Sequence, residues 1–300
     1  MRRLSTIALA ALLLTACAKH APAPIPSITV LPPATPNIVE FRAESVMTRQ
    51  AIAFAPAFIS GLYVQPSGVS PVDFAYFGQS GQSVVNLIYW EPTDYSRWLQ
   101  YLNAAHAQGV KLCLSIGEEI FADNHGLGLV TPEVANHPAL WAVILFDESI
   151  WNLEVQHWGG YYGGNKEKWL AGVAAWKETY PNVRLASVEP YALKDRVPAA
   201  LIAEYYANID FPIVGNYGAY YHVHKEMTEW MRSVTGRNPW TVIQGFPPAS
   251  AAQLDDWMRG SKDGGALGSL WWSWPEICGG CPPPTSITSQ LWADIVATSK

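Results

Sequence analysis

Two adjacent carboxylates, Asp147 and Glu148, end an unbroken apolar run, Trp141 to Phe146, inside the stretch His137 to Ser149 (HPALWAVILFDES). A continuous apolar run bounded by turn signals reads as a strand buried on both faces, as in a parallel sheet. Acids at the end of such a strand sit at its carboxyl end, where open and closed α/β sheets place their chemistry. Paired carboxyl groups suit glycoside cleavage. One must be protonated to release the leaving oxygen, and one must be ionised to support an oxocarbenium-like state. Closely spaced carboxylates push each other's pKa values apart, which makes that division possible near neutral pH. An Asp at a strand-to-helix turn also serves simply as a helix N-cap.

The elements that must position these acids alternate along the chain. Short apolar strands are expected at Gly61 to Val64, Val84 to Trp90, Val110 to Ile116 and Trp141 to Phe146. Four more follow at Val183 to Val188, Phe211 to Gly215, Trp240 to Gln244 and Leu267 to Ser273. Between them, apolar residues at helical spacing predict helices over Tyr95 to Gln108, Lys166 to Tyr180, Pro198 to Ala207, His222 to Val234 and Ala249 to Arg259. A last helix is expected at Ser286 to Thr298. Gly109, Gly236 and Gly260 stand where helices should close. Ser70 to Ser83 is too rich in Gly and Ser for a good helix, and Gly117 to Asn136 reads as a long loop with a short helical turn. Eight strands separated by helices predict an α/β fold, a (β/α)8 TIM barrel. A doubly wound open sheet is disfavoured because no G-x-G-x-x-G follows the first strand.

In such a barrel the residues just past each strand form the site. They are Tyr89, Trp90 and Glu91; Glu118 and Glu119; Asp147 and Glu148; Glu189; Asn216, Tyr217 and Tyr220; Gln244; and Trp272, Trp274 and Glu276. The set holds acids, aromatics and amides, with no basic cluster and no glycine-rich phosphate loop. Flat aromatic faces bind the apolar faces of sugar rings, and polar groups hold hydroxyls. Tyr89, Trp90, Asn216, Tyr217, Tyr220, Gln244, Trp272, Trp274 and Glu276 are therefore the candidate substrate-binding residues. The chain has 14 Trp, and residues such as Trp98, Trp169, Trp176 and Trp257 belong instead to helix packing. His222-Val-His224 lacks partner acids at ligand spacing, so no metal is expected. No organic cofactor is implied. The absence of G-x-S-x-G speaks against an esterase.

The chain's first residues read as targeting. Arg2 and Arg3 form a basic start, and Leu4 to Leu14 is an apolar segment too short to span a bilayer. It runs into Leu14-Thr15-Ala16-Cys17, which resembles a bacterial lipobox. The resemblance implies cleavage before Cys17 and a lipid on its thiol, and Ala18 in place of Asp implies the outer membrane. Residues 1–16 are then a signal peptide, and 17–40 a lipidated Cys on a Pro- and Ala-rich tether. Residues 41–300 form one barrel domain. Removing residues 1–16 takes two basic residues and no acid, leaving 17 basic against 25 acidic, a net charge of −8. That acidity argues against nucleic acid as a partner. The expected contact with a membrane is through the lipid alone. Cys278 and Cys281 form C-x-x-C, in an exported protein most simply a local disulfide, while Cys113 falls inside an apolar strand.

The stretch HPALWAVILFDES resembles the fourth strand of barrel glycoside hydrolases and their lipoprotein relatives, which carry His-Pro-Ala-Leu, an apolar strand and Asp-Glu-Pro. Here Ser149 replaces the Pro. The Asp-Glu pair also resembles that of substrate-assisted hexosaminidases. This implies Glu148 as the acid and Asp147 as the residue that orients the substrate, with Tyr217 or Tyr220 a partner. A competing resemblance is to amylase-type retaining enzymes. It implies Asp147 as nucleophile and Glu189 as acid, although Leu145 stands where those enzymes carry Arg. Glu276 offers a third arrangement. The expected function is hydrolysis of a poly- or oligosaccharide at the carboxyl face of the barrel. The alternative is a catalytically inactive carbohydrate-binding or structural lipoprotein of the cell envelope.

Overall fold

The computed structural model describes residues 59–64, 73–79, 82–87, 97–215, 220–244 and 250–272. All lie in the unit Phe54–Lys300. Its strands are β1 (Ile59–Val64), β2 (Val84–Leu87), β3 (Lys111–Ile116), β4 (Leu140–Asp147), β5 (Leu185–Pro190), β6 (Phe211–Gly215), β7 (Trp240–Gln244) and β8 (Gly268–Trp272). They pair in parallel in chain order, and β8 returns to β1, with Gly61 beside Leu270, to close the barrel. The helices are α1 (Asp73–Gln79), α2 (Trp98–Ala107), α3 (Pro132–Ala135), α4 (Gly159–Tyr162), α5 (Lys166–Thr179), α6 (Ala199–Tyr205), α7 (Tyr221–Thr235) and α8 (Ala251–Gly264). The architecture is the (β/α)8 barrel that the alternating pattern predicts.

Strand alternation sorts the apolar residues into two cores. Val84, Cys113, Ala142, Ile144, Ala186, Val188, Ile213, Val242 and Leu270 fill the barrel interior. Leu112, Leu114, Val143, Leu145, Leu185, Val214, Ile243 and Trp271 face outward and pack under the helices with Trp169, Trp176 and Trp257. Near its amino-terminal end the interior is occupied by Phe211 and Trp240, with Trp141 packed against them. Gly61 is needed inside: a Cβ there would lie 2.4 Å from the Val84 carbonyl oxygen and 2.8 Å from a Leu270 methyl.

Two expectations about helices are corrected. Ser70 to Ser83 reads as too rich in Gly and Ser for a good helix, yet the seven-residue α1 forms within it. Phe74 is fully buried and meets Tyr101 edge-on at 6.2 Å, so tertiary burial outweighs weak propensity. Gly260 was expected to close the eighth helix, which instead runs on to Gly264 and ends at left-handed Gly265. Gly260 and Gly264 are small because α7 crosses there. A Cβ at Gly260 would lie 2.3 Å from the Tyr221 carbonyl oxygen. The loop from Gly117 to Asn136 is as expected, holding two 3-10 turns and α3. The helix expected at Ser286 to Thr298 lies outside the described residues, as do residues 1–58.

Among the described residues no helix is long and apolar enough to cross a membrane.

Candidate active site

The end of β4 departs from regular strand geometry. Ile144 pairs with Ala186 and Asp147 with Val188, so three steps on β4 match two on β5. This is a β-bulge. Phe146 carries it with φ +52, in the left-handed region that costs a bulky residue about 1–3 kcal/mol. Its ring is buried in the helix-side core and packs edge-on against Phe121 at 5.2 Å. The bulge changes which way the acids point. In an uninterrupted strand Phe146 would follow Ala142 and Ile144 inward and Asp147 would face the helices. With the extra residue, Phe146 stays outside, and Asp147 comes into register with interior-facing Val188.

Glu148 follows with φ +51. Its N–H donates to the Val188 carbonyl (2.9 Å), and its own carbonyl accepts from Asn152 N–H (2.8 Å), the first bond of the turn that follows. The Asn152 side chain donates to the Asp147 carbonyl at 3.1 Å. Residues Trp151–Val155 then form a π-helical turn, a form that recurs at functional sites. Burial, and after it the negative charge of Asp147, pushes the Glu148 carboxyl up to about 7. A carboxyl group with that value acts as an acid near neutral pH.

Glu189, on β5, is fully buried. Alternation puts it on the helix-facing side with Leu185 and Ser187, since Ala186 and Val188 line the interior. Its Oε1 accepts from Ser149 Oγ (2.9 Å) and Ile150 N–H (2.8 Å), and its Oε2 from Trp151 N–H (3.1 Å). Burial raises its carboxyl to about 8 against the pull of these donors, and the charge of Glu148 adds a smaller rise. The three acids therefore converge on one junction from two sides of the sheet. Asp147 lies on the interior side, Glu148 at the turn and Glu189 beneath it.

The remaining candidate residues are spread around the barrel. Tyr220 stands just before α7, 74% exposed, with its ring stacked on His222 at 5.8 Å and 5° between planes. Gln244 and Trp272 end β7 and β8 as register partners. Trp271, next to Trp272, is part of the helix-side core. Tyr89, Trp90, Asn216, Tyr217, Trp274 and Glu276 lie outside the described residues, as do Cys17, Cys278 and Cys281. Cys113 is a free, buried thiol whose pKa burial pushes far up. Glu118 and Glu119 form a 3-10 turn, with a Glu119 oxygen accepting from Gly117 N–H at 3.0 Å. Among the described residues no cluster of His, Cys, Asp and Glu is placed to hold a metal ion.

Two features of the site carry no signal in sequence spacing. Ser149 Oγ lies 2.9 Å from Ser187 Oγ as well as from Glu189, and Glu154 accepts from the Tyr205 hydroxyl. Only the departure of Ser149 from the Asp-Glu-Pro pattern hinted at the first. Just downstream, a cleft of about 410 Å³ opens between the loop after β4 and the starts of α5 and α6. Leu153, Glu154, His157, Gly160, Lys166 and Leu201 are among its lining residues.

No protein-family model and no curated protein matches this chain. Solved structures do. An FMN-binding β-glucuronidase from Facaelibacterium prausnitzii L2-6 aligns with TM-score 0.50 and 10% identity over 74% of this chain and 38% of its own. A β-glucuronidase from Bacteroides uniformis aligns with TM-score 0.54 and 10% identity over 73% of this chain and 30% of its own. The β-glucuronidase 2 of that species, covalently bound to cyclophellitol-6-carboxylate aziridine, gives TM-score 0.51 and 11% identity over 73% of this chain and 30% of its own. The chain thus spans about a third of these enzymes' length, and the likeness is one of fold. Distant glycoside hydrolases share its barrel.

Proposed function

We propose that this chain is a glycoside hydrolase acting on a poly- or oligosaccharide, with Asp147 and Glu148 as its carboxylate pair. The end of β4 is the observation that carries the reading. A bulge turns Asp147 to the interior side, beside a Glu148 whose carboxyl holds its proton up to about pH 7. Glycosidic cleavage needs one protonated carboxyl function to release the leaving oxygen, and Glu148 has the ionisation for it. Asp147 supplies the second carboxyl function from the interior side. Exposed Tyr220, stacked on His222, offers a flat face for a sugar ring at the rim. The barrel shared with proteins named as β-glucuronidases agrees with this class of chemistry. The substrate reaches the site from the carboxyl face, and residues 1–16 and Cys17 deliver the protein to the cell envelope on a lipid anchor.

The test is release of reducing ends from a panel of bacterial polysaccharides. Glu148→Gln should cut turnover by about 10²–10⁴-fold with an unchanged circular dichroism spectrum, because the isosteric amide has no proton to give. If Asp147→Asn and Glu148→Gln both retain full activity on a substrate that the wild type cleaves, the site lies elsewhere. If nothing is cleaved but glycan still binds, a catalytically silent carbohydrate-binding barrel is the better account.

A further inference from the structure

We propose that Glu189 is the positioning residue of this carboxylate pair: from β5 it holds the first turn after β4, and thereby keeps Glu148 in its left-handed, partly buried setting. The proposal rests on reading Asp147 and Glu148 as the reactive pair. The first N–H groups of a helical turn have no partner within it and need acceptors from elsewhere. A residue at the position of Glu148, whose carbonyl accepts the first bond of the turn, usually caps that turn with its own side chain. Here the acceptors come from the neighbouring strand instead, since Glu189 takes Ile150 N–H at 2.8 Å and Trp151 N–H at 3.1 Å. The capping work is removed from Glu148, and its carboxyl group is left for chemistry.

The same bonds explain how the backbone tolerates φ +51 at Glu148. Val188 grips its N–H at 2.9 Å, Asn152 its carbonyl at 2.8 Å, and Glu189 clamps the two residues beyond Ser149. Strained backbone persists only where its surroundings over-determine it. Ser149 fits this scheme. A proline there has no hydroxyl, whereas Ser149 Oγ reaches Glu189 Oε1 and Ser187 Oγ, both at 2.9 Å. Tyr206 in turn donates to the Ser187 carbonyl at 3.3 Å. Both oxygens of Glu189 are therefore engaged by the protein itself, on the side of the sheet away from the barrel interior. That arrangement suits a residue that acts through Glu148 rather than on a substrate.

The experiment uses the whole protein, Glu189→Gln and the milder Ser149→Ala, with carboxyl-carbon NMR titration of Glu148 and amide hydrogen exchange at Ile150 and Trp151. Among the described residues, the ionisable groups around the junction are Asp147, Glu148, Glu154, Glu189, Tyr205 and Tyr206. In Glu189→Gln an amide NH2 replaces one accepting oxygen and, unlike the O–H of a protonated carboxyl group, keeps no lone pair to accept an N–H, so donor faces donor whatever the protonation of Glu189. Exchange at Ile150 and Trp151 should accelerate by at least about tenfold, and the Glu148 midpoint should fall toward the ordinary carboxyl range. Ser149→Ala should move both in the same direction by less, and it carries the test if Glu189→Gln fails to fold. Unchanged exchange and titration, with turnover abolished, would make Glu189 a catalytic residue and overturn the proposal while leaving the glycosidase reading intact. Unchanged exchange, titration and turnover would overturn it too. If both readouts move as expected while the wild type cleaves no glycan, the positioning role of Glu189 stands and the glycosidase reading falls.

Discussion

Neutralising Asp147 should lower the pKa of Glu148 without restoring it to an ordinary value. The Glu148 carboxyl stands at about 7 against 4.5 for a free group, a displacement worth about 3 kcal/mol. Burial is the larger cause and the charge of Asp147 the smaller. Asp147→Asn keeps the shape and burial of the site and removes only the charge, the smaller cause, so it should recover less than half of the displacement, about 1 kcal/mol or roughly one pH unit. The Glu148 midpoint should therefore settle at about 6. The sign matters for both activity and stability. A carboxyl group whose folded pKa is raised stabilises the fold fully below 4.5, and that contribution is lost as pH rises through 7. In the proposed glycosidase reaction Glu148 gives up its proton, so that role requires it protonated. The alkaline limb of the activity profile should thus lie near pH 7 in the wild type and move to lower pH in Asp147→Asn. Carboxyl-carbon NMR on glutamate-labelled protein reads the midpoint directly, and the pH dependence of reducing-end release reads its consequence. A midpoint that does not move would show that the two carboxyl groups do not face a common space. A return to 4.5 would show that burial contributes nothing, contradicting the packing around the turn.

Other predictions concern the rest of the chain. His224 is fully buried against Trp257 with both ring nitrogens lacking a hydrogen-bond partner, and burial pushes its pKa down to about 4. Its contribution is present above 6.5 and is lost as pH falls toward 4, so the wild type should lose about 3 kcal/mol over that window. His224→Leu should be more stable at neutral pH and should flatten this acid loss. Urea midpoints at pH 7 and pH 4.5 check both, and an undiminished acid loss in the variant would refute the assignment. Cys17→Ser should abolish labelling by radioactive palmitate in the native host and release the protein from membranes, and a wild type that takes no label removes the anchor. Thiol counting on denatured, unreduced mature protein should find Cys113 alone reactive. Reactive Cys278 and Cys281 would rule out their disulfide.

Much of the architecture was legible in the residues themselves. A strand buried on both faces must be continuously apolar and a helix amphipathic, so Trp141 to Phe146 and Lys166 to Tyr180 declared their types directly. Carboxylates after an apolar run mark a strand's carboxyl end, so Asp147 and Glu148 could be picked out as a pair. The direction in which each acid points was decided only in three dimensions. Strict alternation from Ala142 puts Asp147 against the helices, and the bulge at Phe146 reverses that because the Phe146 ring finds its place beside Phe121. The role of Glu189 was hidden for a related reason. Sequence places it at a strand end like any catalytic acid. Its side of the sheet, and the N–H groups of Ile150 and Trp151 39 and 38 residues away that it serves, exist only once β4 and β5 lie side by side. Glycine read as a helix stop at Gly260 failed on the same ground. A missing side chain serves a turn or a close helix crossing equally well, and only the approach of α7 at Tyr221 tells which. Local pattern determines what the strongly patterned segments become, while α1 owes its helix to the burial of Phe74, and the facing of every side chain depends on partners distant in the chain.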